Sequence, residues 1–181
     1  GVLCLQTVLA TSMIYAQLRT VPRWNHWTTP AVFILAALTG GAILTGMAFV
    51  AQILLAWLAL TLVGHWLLGD RRFAKSGATM GTATGLGERG TVRQLEPPHT
   101  GQNYLLKEMV YVVARKHALK LRGIALVLSC IGPSLILWIA PFSLVGTVLA
   151  VLVHVTGMAA ARWLFFAEAE HVVGLYYGRE P

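Results

Sequence analysis

The chain has 181 residues, of which 56% are hydrophobic and only 12% are charged, and its formal net charge is +7. Ordinary soluble domains carry about 25% charged residues, so this composition excludes a soluble globule of this size. Ten of the fourteen Lys and Arg residues lie between Asp70 and Arg122. Basic residues gathered between apolar runs follow the positive-inside rule of membrane proteins, which argues against nucleic acid as a partner.

Taken in chain order, the apolar runs predict an all-α, polytopic transmembrane helix bundle with about five spans. About 20 apolar residues are needed to cross the hydrocarbon core. A short first span is predicted over 2–18, and residues 31–68, which contain no charge, suffice for two spans with a turn near 46–51. The fourth and fifth spans are predicted over 121–140 and 142–166, with an interruption of the fourth at Gly132 and Pro133. Because the first run is short and no basic segment precedes it, we expect further spans before residue 1.

These spans divide the chain into four regions. Residues 1–69 hold spans one to three, 70–120 form a basic loop, 121–166 hold spans four and five, and 167–181 form a polar tail. With five spans, the three regions that carry basic residues share one face of the membrane. The positive-inside rule places that face in the cytoplasm.

Small residues at every fourth position predict where the helices touch. Ala37, Gly41 and Thr45 form such a row in the second span, and Gly146, Ala150 and His154 form one in the fifth. Rows of small residues let helix backbones approach closely. We therefore expect both rows to lie on packed faces.

The basic loop has two predicted parts. Residues 76–90 are rich in Gly and Thr but lack the GK[ST] ending of a phosphate-binding loop, which indicates an irregular connection. After two prolines that forbid a helix, an amphipathic helix is predicted from Asn103 to about residue 119. Such a helix can lie on membrane lipid or dock a soluble subunit. The candidate docking residues are Arg93, Pro97, Pro98, His99, Asn103, Tyr104, Glu108, Arg115, Lys116 and His117.

Two histidines lie inside the apolar runs. His154 is near the middle of its span, where an ionisable group is costly and usually faces the bundle or a water-filled path. It can serve a quinone site or a proton relay, or it can be a neutral histidine bonded to a neighbouring helix. His65 lies near the basic end of its helix, so the two are poorly matched in depth for one haem. No Cys or Cys/His cluster has the spacing of a zinc or iron–sulfur site, and no metal site is predicted.

A quinone site near the membrane surface needs an apolar slot, hydrogen-bond donors for the carbonyl groups and a proton path to water. The quinone-binding candidates are His65, Trp66, Trp57, His154 and Arg162. An interfacial belt of Trp and His residues is an alternative explanation for the first three. Arg162 can instead extend its charge to the interface.

The most distinctive stretches are MIYA at 13–16, EPPHTGQNYLLKEM at 96–109, ARKHA at 114–118, RWLFFAEAEHVV at 162–173 and LYYG at 175–178. Together they resemble the membrane anchor subunits of dimethyl sulfoxide reductase-type molybdopterin oxidoreductases. The resemblance implies a haem-free, non-catalytic anchor that exchanges electrons with ubiquinone or menaquinone. It also implies a place in the bacterial inner membrane and two partners, an iron–sulfur subunit and a molybdopterin catalytic subunit.

The tail resembles more closely the anchors of membrane-bound sulfite-oxidising complexes, the sulfite dehydrogenases, whose soluble subunits face the cytoplasm. In dimethyl sulfoxide reductases proper, those subunits face the periplasm. The positive-inside pattern favours the cytoplasmic arrangement. From hydropathy alone, a small-solute transporter or channel component is the alternative function.

Overall fold

The computed structural model describes residues 1–93, 95–96 and 116–177, and within these ranges the chain is helical and contains no strand. The predicted surface helix lies almost wholly outside the described residues. So do seven of the docking candidates, namely Pro97, Pro98, His99, Asn103, Tyr104, Glu108 and Arg115. The other three, Arg93, Lys116 and His117, are exposed.

Seven α-helices are described. They are α1 (Val2–Ala16), α2 (Thr28–Leu44), α3 (Ala48–Gly69), α4 (Arg72–Lys75), α5 (Met80–Thr84), α6 (Ala118–Ile139) and α7 (Leu144–Ala167). Short 3₁₀ helices lie after α5, at Gly87–Arg89, and after α7, at Val172–Tyr177. The helices begin and end close to the ends of the apolar runs. The connections between the helices contain Gly, Pro and charged residues, and Gly and Pro disfavour a helix.

Three of these helices, α3, α6 and α7, are long and apolar enough to cross a membrane, which indicates a membrane protein. Helices α1 and α2 are apolar but have 15 and 17 residues, fewer than the about 20 that a full crossing needs. The prediction of five spans therefore stays a prediction. Large apolar side chains such as Phe49, Leu60 and Leu152 are exposed on the outer faces, where lipid would contact them.

The helices pack as a bundle in which α2 contacts α1, α3 and α7, and α6 contacts α3 and α7. Its core is apolar, and Ile43, Leu55, Leu58, Leu137 and Leu164 are its largest fully buried aliphatic side chains. Ion pairs join both the connection before α2 and the start of α6 to the ends of α3 and α7. We call the end of the bundle where these elements meet the basic end.

The two predicted rows of small residues have different outcomes. In α7, Gly146, Ala150 and His154 are buried, as predicted. In α2, Ala37, Gly41 and Thr45 are exposed, so the prediction of a packed face is wrong within the described residues. The reason is the rotation of α2 about its axis, which turns another face toward the bundle. That face carries Thr39, Ala42 and Ile43.

Helix α6 is interrupted, as the pair Gly132 and Pro133 predicts. Its middle turn, Val127–Ile131, is a π-helix. Pro133 has no backbone N–H to donate to the carbonyl of Ser129 four residues earlier. That carbonyl lies 2.7 Å from Nδ1 of His154 on α7, which donates to it. The intramembrane histidine thus joins two helices at a break in one of them.

Candidate functional site

Four charged residues form an ion cluster at the basic end of the bundle. Arg23 contacts Asp70 at 2.7 Å and Glu168 at 3.3 Å. Arg122 contacts Glu168 at 2.8 Å and donates two hydrogen bonds to Asp70, at 2.8 and 2.5 Å. Gly69 makes room for the cluster, because a Cβ there would lie 2.7 Å from Nη1 of Arg23.

The ion cluster is electrically balanced, since two arginines face two carboxylates. Glu168 is 3% exposed and Arg23 is 9% exposed, so both carry charge away from water. Buried charges are tolerated when they are paired and hydrogen-bonded. Hydrogen bonds from Arg122, supported by Arg23, lower the pKa of Asp70 to about 2. Asp70 therefore keeps its charge near neutral pH, and the cluster fixes the ends of three long helices against one another.

A cavity of about 140 Å³ lies among α2, α3 and α7 and reaches the ion cluster. Its wall is mostly apolar and aromatic. The lining residues are Arg23, Val32, Phe33, Ala36, Leu62, His65, Trp66, Met158, Ala161, Arg162, Phe165 and Glu168. The polar groups of the wall come from two arginines, one histidine and one carboxylate, with the indole N–H of Trp66 beside them.

Arg162 lies inside a cage of aromatic rings. Its guanidinium carbon is 4.6 Å from the ring centres of Tyr15 and Phe166, 4.8 Å from that of Phe33 and 4.9 Å from that of Phe165. Such distances allow cation–π attraction. The buried Nη1 of Arg162 has no hydrogen-bond partner among the described residues. An unpaired guanidinium N–H at the wall of a cavity is a donor ready for an oxygen atom of a ligand.

His65 is the second polar group of the wall that can form a hydrogen bond with a ligand. It is 5% exposed and its Nδ1 lies 2.9 Å from Oγ1 of Thr28. Its ring stacks on Phe165, with 6.0 Å between ring centres. Because Nδ1 is engaged by Thr28, Nε2 is the ring nitrogen left for a ligand in the cavity.

The structure brings three of the five predicted quinone-binding residues together, since His65, Trp66 and Arg162 all line this cavity. Their burial also separates His65 and Trp66 from an exposed interfacial belt. Trp57 is 58% exposed on the outside of α3, and His154 is bonded to Ser129. Neither of these two lines the cavity.

Several residues of the site were not predicted from sequence. Asp70 and Glu168 each follow the end of an apolar helix directly, and such a position could have marked them as ion-pair partners. Arg23 and Glu168 are 145 residues apart, and no local pattern indicates that they meet. In the sequence, Phe33 and Phe165 are indistinguishable from the other apolar residues of their runs.

No family model matches the chain, and no solved structure matches it. A curated protein of Allochromatium vinosum, named as a subunit of sulfite dehydrogenase, is 30% identical to it over 184 residues. The aligned region covers 93% of this chain and 56% of that protein. The chain thus spans about half the length of the curated relative it matches. At this identity and coverage, the similarity supports the class of complex, a sulfite dehydrogenase-like membrane subunit, and nothing finer.

Proposed function

We propose that this chain belongs to the membrane subunit of a sulfite-oxidising complex and that its cavity binds the head group of a membrane quinone. The observation that carries this proposal is the cavity itself, where Arg162 with its unpaired Nη1 and His65 with its available Nε2 share an aromatic wall. The similarity to a sulfite dehydrogenase subunit supports the class of complex. The resemblance to dimethyl sulfoxide reductase-type anchors agrees with it.

The residues present fit a quinone head group, which is a flat ring with carbonyl oxygens at opposite edges. Phe33, Phe165 and Trp66 offer apolar surface to such a ring, and Arg162 and His65 offer donors to its oxygens. The cavity volume of about 140 Å³ is below the about 300 Å³ of pockets that hold whole drug-sized ligands. It therefore suits the ring alone, while the isoprenoid tail stays among the lipids.

A bound quinone would accept two electrons and two protons, and this chain would supply the binding, the orientation and the proton donors. Arg162 holds a positive charge at the wall, which favours negative charge developing on the ligand. The aromatic rings around it keep water away from the guanidinium and strengthen that interaction. His65 is a group that can exchange a proton.

The electron-donating partner is proposed to be an iron–sulfur subunit that docks on the basic segment, with a molybdopterin subunit beyond it. The ion cluster supports this position, because it lies between the cavity and the start of the basic segment at Arg71 and Arg72. A partner seated at the basic end would lie on the cavity's side of the membrane. That side is proposed to be the cytoplasm. Transport of a small solute stays the alternative function.

The test is a purified complex that carries His65→Gln, assayed with decylubiquinone and, separately, with a soluble dye that bypasses the membrane subunit. General acid–base groups contribute about 10²-fold or more to a rate, so we expect quinone-dependent turnover to fall by at least about tenfold. Dye-dependent turnover reports whether the complex has assembled. The matched control is His154→Gln, which changes a buried histidine that does not line the cavity.

Equal loss in both variants would refute the assignment of the cavity. A chain that purifies without soluble partners and moves solute into vesicles would refute the complex and favour the transporter.

A further inference from the structure

A line of hydrogen bonds leads out of the cavity toward the basic end. His65 Nδ1 lies 2.9 Å from Oγ1 of Thr28, and the same oxygen lies 2.8 Å from Nδ1 of His26. Thr28 and His65 are buried, whereas His26 is partly exposed. We propose that His26, Thr28 and His65 form a proton-transfer path between the aqueous phase and the cavity. This inference rests on the proposed function and deepens it by naming the proton route.

The elements that hold the path explain its geometry. Thr28 is the first residue of α2, so its side chain sits where a helix begins and the backbone N–H groups must bond to groups that precede the helix. His65 lies near the end of α3 and His26 in the connection before α2. Arg72 donates to the carbonyl of Asn25 at 2.6 Å, which holds that connection against the basic end.

Each group in the path can both give and accept a proton. A neutral imidazole has one N–H donor and one acceptor nitrogen, and a hydroxyl can play both roles at once. When the hydrogen bonds of the path point toward the cavity, His65 donates the proton on Nε2 to a carbonyl oxygen of a ligand in the cavity. His65 Nδ1 then takes the Thr28 hydroxyl proton, Oγ1 takes the proton from His26 Nδ1, and His26 Nε2 takes a proton from water.

The net result is one proton taken from water and one delivered to the ligand, with every group of the path returned to its neutral form. The same transfers in reverse order remove a proton from the ligand. The backbone N–H of Thr28 lies 3.3 Å from His26 Nδ1, so this nitrogen accepts a hydrogen bond once it has given up its proton. After one transfer each imidazole holds its proton on the other nitrogen, so a second proton passes in the same direction only after both rings have returned to their first tautomer.

The charges around the path suit neutral histidines. Burial and the nearby Arg72 lower the pKa of His26 below its ordinary value. A positive neighbour disfavours a resting imidazolium, so a proton that reaches His26 is passed on and not stored.

The test uses the intact complex with decylubiquinone as the probe. Thr28→Val removes the hydroxyl with little change of shape, and Thr28→Ser restores a hydroxyl at the same place. Thr61→Val is the matched control, since Thr61 is partly exposed, does not line the cavity and bonds to the carbonyl of Trp57 in its own helix. Binding is measured by quenching of tryptophan fluorescence, and turnover by reduction of decylubiquinone.

We expect Thr28→Val to lower quinone-dependent turnover by at least about tenfold with an unchanged Kd for decylubiquinone. Thr28→Ser should recover most of the rate, and Thr61→Val should match the wild type. As a second measurement, His26→Ala should be slow and should regain rate when imidazole is added. A residue with only a structural role would not respond to imidazole.

Full turnover in Thr28→Val would overturn the path and leave the proposed function standing. Loss of binding in both Thr28 variants would also overturn it, because Thr28 would then act in binding. If Thr28→Val does not assemble, absence of imidazole rescue in His26→Ala overturns the path. A wild-type complex that neither binds nor reduces decylubiquinone would overturn the proposed function and the path together.

Discussion

Replacing Glu168 by glutamine removes one negative charge from the ion cluster while keeping the size and shape of the side chain. Two arginines would then face the single carboxylate of Asp70. Because Glu168 is 3% exposed, water cannot replace the lost charge. The ends of α6 and α7, which Arg122 and Glu168 join, would lose their strongest polar contact.

The size of the effect follows from the geometry. Glu168 accepts from Arg122 at 2.8 Å and from Arg23 at 3.3 Å, and a hydrogen bond to a charged group contributes about 1.5–3 kcal/mol. Removing one partner of a buried ion pair costs about 3–5 kcal/mol. Glutamine keeps one acceptor oxygen, so we expect a loss near the lower limit, about 3 kcal/mol in free energy of unfolding.

The assay is unfolding of the purified protein in dodecyl maltoside micelles with increasing SDS, followed by circular dichroism. Glu170→Gln is the matched control, because it makes the same change two residues later and Glu170 has no ion pair among the described residues. The double variant Arg122→Gln with Glu168→Gln leaves Arg23 paired with Asp70. It should be less destabilised than the sum of the two single variants, since contacting residues couple by about 0.5–3 kcal/mol.

Two results would refute this reasoning. One is a Glu168→Gln variant no less stable than Glu170→Gln, which would mean that the charge is not buried in the folded protein. The other is simple additivity in the double variant, which would mean that Arg122 and Glu168 do not interact.

Two further predictions concern stability. The folded-state pKa of Asp70, about 2, lies below its ordinary value of 3.8, so its contribution is present above about pH 4 and is lost as pH falls toward 2. The wild type should therefore lose stability over this range more steeply than Asp70→Asn, and parallel pH profiles would count against the contacts with Arg122. Gly157→Ala would place a Cβ 2.1 Å from the backbone nitrogen of Ser129 and should cost at least about 2 kcal/mol. Gly64→Ala, with no atom within 4 Å, should be neutral or slightly stabilising because alanine favours a helix more than glycine does, and equal stability of the two variants would contradict the close contact of α6 and α7.

The helices were largely predictable from sequence. Hydropathy and the positions of Gly and Pro are local properties, and they set the turn after α2, the break in α6 and the start of α7 to within a few residues. The prediction that His154 lies on a packed face is confirmed, because the small residues of α7 recur on one side of the helix. The same prediction for the row of small residues in α2 is wrong. Residue spacing shows which residues share a face of a helix, but not whether that face points toward the bundle.

The site was predictable only in part. His65, Trp66 and Arg162 were candidates because a quinone site near the membrane surface needs an apolar slot and hydrogen-bond donors. The aromatic cage of Arg162 and the path from His65 through Thr28 to His26 join groups from different helices. Residue spacing along one helix carries no information about such contacts.

The sequence by itself determined that this chain forms apolar helices for a membrane and that its basic residues gather in the connections between them. These properties follow from composition and from the length of the apolar runs. Only the tertiary structure decided that Arg23, Asp70, Arg122 and Glu168 neutralise one another and that a cavity opens beside them. The physical reason is that pairing and cavity shape depend on the rotation and depth of each helix, which packing of the whole bundle fixes.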